Sequence, residues 1–344
     1  MYEWGWGESF HFGRRSAGET HKASLSRSEY LLAASIVGQD ALRTDEPLRL
    51  LDVGCGIGGP ARAVGRFLNM PDGPTVTVDG ITLNEYQVKR GNALNKAAGL
   101  DDVVTLHQGN FCDMDFDDES FDAAYTIEAA CHAPRRIDVF VEINRVLRMG
   151  GTLGAYEWLL TDTFDPDNEE HQRIKLEICV GNGLPDIESV ESCNAAFEAC
   201  GFEIERCTNL AEETPSHPVS WFHELVSVDI FHNFWSTAVG HVAATTLLYV
   251  METLRLVPKG SLKTQQMLKI GGDALCVGAV AGIFTPMQFY LVRKVKDVTL
   301  AEAERAYDSA MRRAAVAAKK ATKTSSSKKA TGGSRARGRS PARK

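Results

Sequence analysis

The turn at residues 54–59 constrains this chain more than any other feature, because a buried apolar strand runs straight into a cluster of glycines. Leu48-Arg-Leu-Leu-Asp-Val is followed by Gly54-Cys-Gly-Ile-Gly-Gly-Pro. A strand that ends in such a turn before a helix presents bare backbone and a helix N-terminus to a nucleotide. Gly54, Gly56 and Gly59 satisfy G-x-G-x-x-G, so a dinucleotide-dependent oxidoreductase and a methyltransferase both fit. Asp52 separates them. At the carboxyl end of the strand its carboxylate repels a pyrophosphate but attracts the ammonium and sulfonium charges of S-adenosylmethionine. The loop contacts expected for that cofactor are Asp52, Gly54, Cys55, Gly56 and Gly58.

Downstream, apolar strands at Thr75–Ile81, Val103–Gln108, Phe121–Ile127 and Thr152–Leu159 alternate with helical spacing at Tyr86–Ala98 and Ile137–Leu147. Two further strands are expected at Gly201–Cys207 and Met287–Lys294, and a helical pattern at Ser26–Val37 precedes the first. Alternation of this kind predicts an α/β fold, a doubly wound seven-stranded Rossmann-like sheet with right-handed crossovers. The second strand, Val76-Thr-Val-Asp-Gly-Ile-Thr, ends where the ribose would lie. Asp79 fits equally as ribose ligand or as surface residue; in the second case Thr82, Asn84 and Gln87 become neutral ribose contacts. After the third strand, Asn110 and Phe111 are candidates for the adenine edge and face, with core packing the plain alternative for Phe111.

A largely helical insertion, about Glu212 to Phe284, separates the last two strands. Its first half is rich in aromatics, including Trp221 and Phe222, and either completes the core or walls an apolar cavity. The chain carries a net charge of −7, yet Arg312–Lys344 holds twelve Lys and Arg and no acid. With no aromatic after Tyr307, that segment reads as a disordered basic tail. Charge alone would also suit a nucleic-acid or anionic-membrane binding module, but no nucleic-acid partner is expected beside an intact glycine loop. The apolar runs Cys276–Leu291 and Ala238–Met251 fall short of the ~20 residues of a spanning helix. The eight cysteines show no C-x-x-C pair, and no His, Cys, Asp or Glu group has metal-ligand spacing.

Several segments together resemble one family, the sterol C24-methyltransferases, closest to the plant and algal type that acts on cycloartenol-like sterols. They are Tyr-Glu-Trp-Gly-Trp-Gly-Glu-Ser-Phe-His-Phe at 2–12, Leu-Asp-Val-Gly-Cys-Gly-Ile-Gly-Gly-Pro at 51–60 and Gly-Ile-Thr-Leu-Asn-Glu-Tyr-Gln-Val at 80–88. Ile-Glu-Ala-Ala-Cys-His-Ala-Pro at 127–134 and Tyr-Glu-Trp at 156–158 belong to the set, Gly-Leu-Pro-Asp at 183–186 and Gly-Ile-Phe-Thr-Pro-Met at 282–287 fit as well, and the likeness runs from Tyr2 to about Val295. The resemblance implies four parts: an aromatic N-terminal lid over 1–40, truncated relative to the family, an S-adenosylmethionine domain over 41–211, a sterol methyltransferase region over 212–295, and a basic tail over 296–344 foreign to the family. It also implies a sterol substrate, peripheral association with the cytosolic face of the endoplasmic reticulum membrane or a cytoplasmic location, and a candidate homo-oligomer.

In the implied reaction the Δ24 double bond attacks the cofactor methyl, C25 becomes cationic, and a hydride shift with proton loss follows. Aromatic faces attract such a cation without trapping it. Tyr2, Trp4, Trp6, Phe10, Phe12, Tyr156 and Trp158 are therefore candidates for the substrate wall. Glu128, His132 and His11 are candidates for the terminal base, each with a structural alternative as a loop or turn residue. A methyltransferase of the same fold acting on another lipid or a quinone is the competing reading; cyclopropane fatty-acid synthases share the Gly-x-Thr-x-x-x-x-Gln pattern at 80–87.

Overall fold

A computed structural model describes residues 6–41, 46–71, 73–226 and 238–332. Seven strands form one sheet: β1 (Leu48–Val53), β2 (Val76–Thr82), β3 (Val104–Gln108), β4 (Phe121–Ile127), β5 (Leu147–Leu160), β6 (Phe202–Asn209) and β7 (Phe284–Lys294), in the order β3-β2-β1-β4-β5-β7-β6. The first five pair in parallel, while β7 runs antiparallel between β5 and β6. Strand order reverses at β1 and β4, so a crevice opens beyond their carboxyl ends, where ligands of doubly wound sheets bind.

Successive residues of each strand face opposite sides, which is why the apolar runs of the sequence have no polar face. Leu50 packs with Leu32, Ile36 and Val64 on one side; Leu51 packs with Phe140, Val146 and Phe197 on the other. The first layer holds α1 (His21–Ala41, kinked at Gly38), α2 (Gly59–Leu68) and α3 (Glu85–Ala97); the second holds α4 (Arg136–Val146) and α6 (Val190–Ala199). Between the last of these and β5 lies α5 (Glu169–Asn182). The insertion contributes a single turn at His223–Val226 and a helical hairpin of α7 (Ala238–Thr253) and α8 (Ser261–Val280), with α8 packed along α5.

The region from 296 departs from the expected disordered tail. Helix α9 (Leu300–Gly332) starts immediately after β7 and packs on α4 and α6. Ala303 is fully buried, the Tyr307 hydroxyl bonds Ser192 Oγ at 2.8 Å, and Arg135 pairs with Glu304 at 2.6 Å. The alanine-rich register of Leu300–Ala310, a strong helix former, supplies the apolar contact that composition alone hides. Residues 333–344 lie outside the described residues.

Candidate active site

Asp52 lies at the crevice, buried, with Oδ2 lacking any hydrogen-bond partner. Burial pushes its carboxyl up to about 7; the Tyr125 hydroxyl, opposite it on β4, opposes the rise but stands outside hydrogen-bonding geometry. An orphaned buried carboxylate oxygen at this place fits a cationic ligand group and is costly without one. Gly54 beside it has φ +85°. A Cβ there would stand 2.3 Å from the Ala129 Cβ, so glycine lets the β4 loop close against the turn. Gly56 and Gly58 also have positive φ, Cys55 is buried, and Pro60 starts α2 where its missing N–H costs nothing.

At the end of β2, Asp79 is engaged by neighbouring strands. It bonds Arg49 Nε at 2.8 Å and His107 Nε2 at 2.6 Å. Burial acts to raise its carboxyl, but these two partners outweigh it and hold the group below its ordinary value. Thr82 donates to Gln87 Oε1 at 2.7 Å, and the Asn84 side chain caps α3 by accepting from the amides of Tyr86 and Gln87. After β3, Asn110 accepts from the Cys112 amide, and Phe111 is half-buried against the second core layer with its ring edge near Gly54.

The aromatic opening folds over this loop. A Cβ on Gly59 would lie 2.2 Å from the Glu8 carbonyl oxygen, so segment 6–12 rests directly on the start of α2. Buried Arg62 bonds Glu8 Oε2 at 2.7 Å, the Ile57 carbonyl at 2.9 Å and Asn95 Oδ1 at 2.8 Å, tying the segment, the glycine turn and α3 together. Trp6 donates to the His11 carbonyl and packs edge-on against Phe12, 5.4 Å away; Phe10 is exposed. Tyr2 and Trp4 lie outside the described residues.

Phe12 is the hinge of a larger aromatic wall. Its ring meets Trp221 at 4.7 Å and Trp158 at 6.2 Å, and Phe284 joins Trp158 at 5.4 Å and Trp221 at 6.1 Å. Tyr156, on the same strand face as Trp158, is buried deeper and donates to the Ser28 carbonyl. Beside the wall, Trp221, Phe222 and Phe284 line a cavity of about 410 Å³ with Asp162, Glu212 and Glu213 among its polar neighbours.

Glu128 anchors this wall. Its Oε1 accepts the Phe12 amide at 2.7 Å and its Oε2 the Trp158 indole at 2.9 Å. The residue has φ +53°, a conformation that side chains other than glycine adopt rarely and that concentrates at functional sites. Burial raises its carboxyl to about 7 against the opposing pull of His11 and the two donors. His11 is buried too, with Nδ1 2.7 Å from the Phe12 carbonyl and Nε2 3.2 Å from Glu29 Oε1. Burial disfavours its charge, but Glu29 and Glu128 outweigh it and raise the imidazole above its ordinary value. His132 sits exposed in the 3₁₀ turn Ala130–His132 beyond β4.

Residues 51–155 match a methyltransferase domain and residues 231–295 the C-terminal domain of sterol methyltransferases. The cycloartenol-C-24-methyltransferase of Arabidopsis thaliana is 42% identical over 298 residues, covering 86% of this chain and 83% of that one. The chain belongs to the sterol 24-C-methyltransferase family. The sterol 24-C-methyltransferase of Debaryomyces hansenii, 39% identical over 86% of this chain and 76% of its own, agrees. Among solved structures, a geranyl diphosphate methyltransferase in complex with S-adenosylmethionine shares the fold at TM-score 0.55 and 19% identity, covering 83% of this chain and 98% of that one. This sterol methyltransferase is therefore an S-adenosylmethionine-dependent enzyme, and the dinucleotide-dependent oxidoreductase reading of the sequence falls away.

Two contributors, Phe284 and Glu29, were not singled out from the sequence, whereas Trp221 was read as core or cavity wall. Phe284 comes from β7, and tertiary packing brings it to Trp221, which meets Phe12. Glu29 was legible in principle: it interrupts the apolar stripe Leu25, Leu32, Ile36 on α1, and a charge within such a stripe demands a partner.

Proposed function

We propose that this sterol methyltransferase transfers the methyl of S-adenosylmethionine to C24 of a Δ24 sterol of the cycloartenol type, with the aromatic wall holding the side chain and Glu128 taking up the final proton. The observation that carries this reading is the placement of Glu128, which fixes Phe12 and Trp158 in the wall and keeps a raised carboxyl beside it. Asp52, Gly54, Gly56 and Gly58 would hold the cofactor, with Phe111 against its base and the Thr82–Gln87 pair toward its ribose. Bound there, the cofactor supplies an electrophilic methyl.

The chain's own work is then positional and electrostatic. Trp6, Phe12, Trp158, Trp221 and Phe284 exclude water and offer ring faces to positive charge developing at C25. Each Glu128 oxygen accepts one hydrogen bond and retains a lone pair for a proton. His11 is less suited to that role: a carbonyl and a carboxylate face its two nitrogens, so both act as donors and the ring is held protonated against Glu29. His132 stands outside the wall. Among the described residues no helix is long and apolar enough to cross a membrane, which fits a peripheral enzyme at the endoplasmic reticulum surface.

Glu128→Gln tests the assignment by product analysis. Turnover should fall by about 10²–10⁴-fold with cofactor affinity retained, and residual product should shift toward C25 alcohols or displaced double bonds. Normal products with weakened cofactor binding would make Glu128 a positioning residue.

A further inference from the structure

Helix α7 is apolar on both sides. Its inner side carries half-buried Ala244, Leu248 and Met251 beside two polar ties to the rest of the hairpin: Thr245 Oγ1 donates to Gln265, and Glu252 accepts the amides of Gly260 and Leu262 at 2.8 and 2.9 Å. Its outer arc carries Val242, Leu247, Tyr249 and Val250, all 44–68% exposed, interspersed only with alanine and threonine. No charged side chain lies on that arc. Sixteen residues span about 24 Å as a helix, too short to cross a bilayer but suited to lying in its interface.

We propose that the outer face of α7 docks this enzyme on an anionic lipid bilayer. Two observations favour a bilayer over a second copy of the chain. The apolar arc ends in the α7–α8 turn, where exposed Leu254 and Leu256 are interleaved with exposed Arg255 and Lys259, with Lys263 one turn on. Cations next to exposed apolar residues, on a chain of net charge −7, complement lipid headgroups. The cavity lined by Trp221 and Phe284 also opens on the partner helix of the hairpin: Ala279 and Gly282 line its rim, and Val277 and Val280 beside them are exposed. Because α8 packs on α7, an enzyme docked by α7 would keep that rim near the lipid from which a water-insoluble sterol enters; this last step rests on the proposed substrate.

The test is flotation of the full chain with sterol-free vesicles of phosphatidylcholine containing about one-third phosphatidylserine. Salt of about 0.5 M screens the basic C-terminal segment while leaving apolar insertion in place. The double variant Leu247→Glu with Val250→Glu should lose binding at least tenfold while keeping its melting temperature and cofactor affinity, because both positions are exposed. Arg255→Glu with Lys259→Glu should weaken binding in the same direction at low salt. On sterol embedded in vesicles the first variant should lose turnover, and on cyclodextrin-delivered sterol it should match wild type. Undiminished flotation of the double variant, or a wild-type dimer that it splits while neither protein floats, overturns the proposal. Loss of flotation without sterol turnover by the wild type would preserve the docking face and count against the substrate instead.

Discussion

The proposed contact of the buried Asp52 carboxylate with the cofactor makes a quantitative demand on binding. The Asp52 carboxyl sits at about 7 in the folded chain because burial penalises its charge, and Oδ2 has no donor to offset that. A cationic ligand favours the carboxylate, so binding must displace a proton below neutrality. At pH 6 a group titrating at about 7 is roughly 0.9 protonated, so cofactor binding should release close to one proton there and almost none at pH 8. Affinity should fall up to about tenfold per pH unit below 7. Asp52→Asn keeps the shape and removes the charge-assisted contact, which costs about 1.5–3 kcal/mol, or about 10- to 150-fold in Kd at pH 8. Titration calorimetry at pH 6, 7 and 8, in buffers of different ionisation enthalpy, reads both the affinity and the proton count. Glu128→Gln serves as control, since Glu128 titrates in the same range. A folded Asp52→Asn protein with wild-type affinity, or a wild type that binds without releasing a proton at pH 6, would refute the assignment.

The same burial shapes stability. Asp52 and Glu128 are each raised to about 7, so between about pH 4 and 7 the folded chain holds protons that the unfolded chain has lost. The melting temperature of the cofactor-free protein should therefore decline as pH rises from 5 to 8, and a rising profile would contradict it. Gly59→Ala forces a Cβ against the Glu8 carbonyl and should displace segment 6–12, raising KM for sterol at least tenfold in a protein whose sheet still folds, as circular dichroism would show. A chain ending at Met311 keeps the Ala303 and Tyr307 contacts of α9 and should melt as the full chain does, whereas one ending at Lys296 should melt several degrees lower.

Much of this architecture was legible in advance because its signals are local. The run from Leu48 to Pro60 encodes strand, turn and helix start within thirteen residues, and each downstream strand announces itself as a short apolar run. What stayed hidden depends on partners far along the chain. Asn84 is chemically able to meet a ribose, but a polar residue just before Glu85 also caps a helix, and the cap is what it forms. The partners of Asp79, Arg49 and His107, come from β1 and β3 and were not visible in its own segment. The fold of Leu300–Ala317 was masked by the lysines after it, since average composition over 296–344 conceals an alanine-rich helix at its start.

Segment 6–12 joins the glycine turn and the aromatic wall, the proposed cofactor and substrate sites, into a single unit. Glu8 reaches Arg62, which braces the glycine turn, while four residues later the Phe12 amide is held by Glu128 at the end of β4. The chain between these two fixed points is too short to let one end move freely: four residues extend at most about 14 Å. Displacing Glu8 from α2 must therefore strain the Phe12–Glu128 contact and with it the packing of Phe12 on Trp158 and Trp221. Energy spent ordering the glycine turn around a cofactor is thereby available to order the aromatic wall. This predicts that sterol and cofactor bind with positive coupling, which Arg62→Lys should weaken without touching either ligand. The measurable sign is a cofactor Kd that tightens in the presence of a Δ24 sterol in the wild type and becomes independent of sterol in the variant.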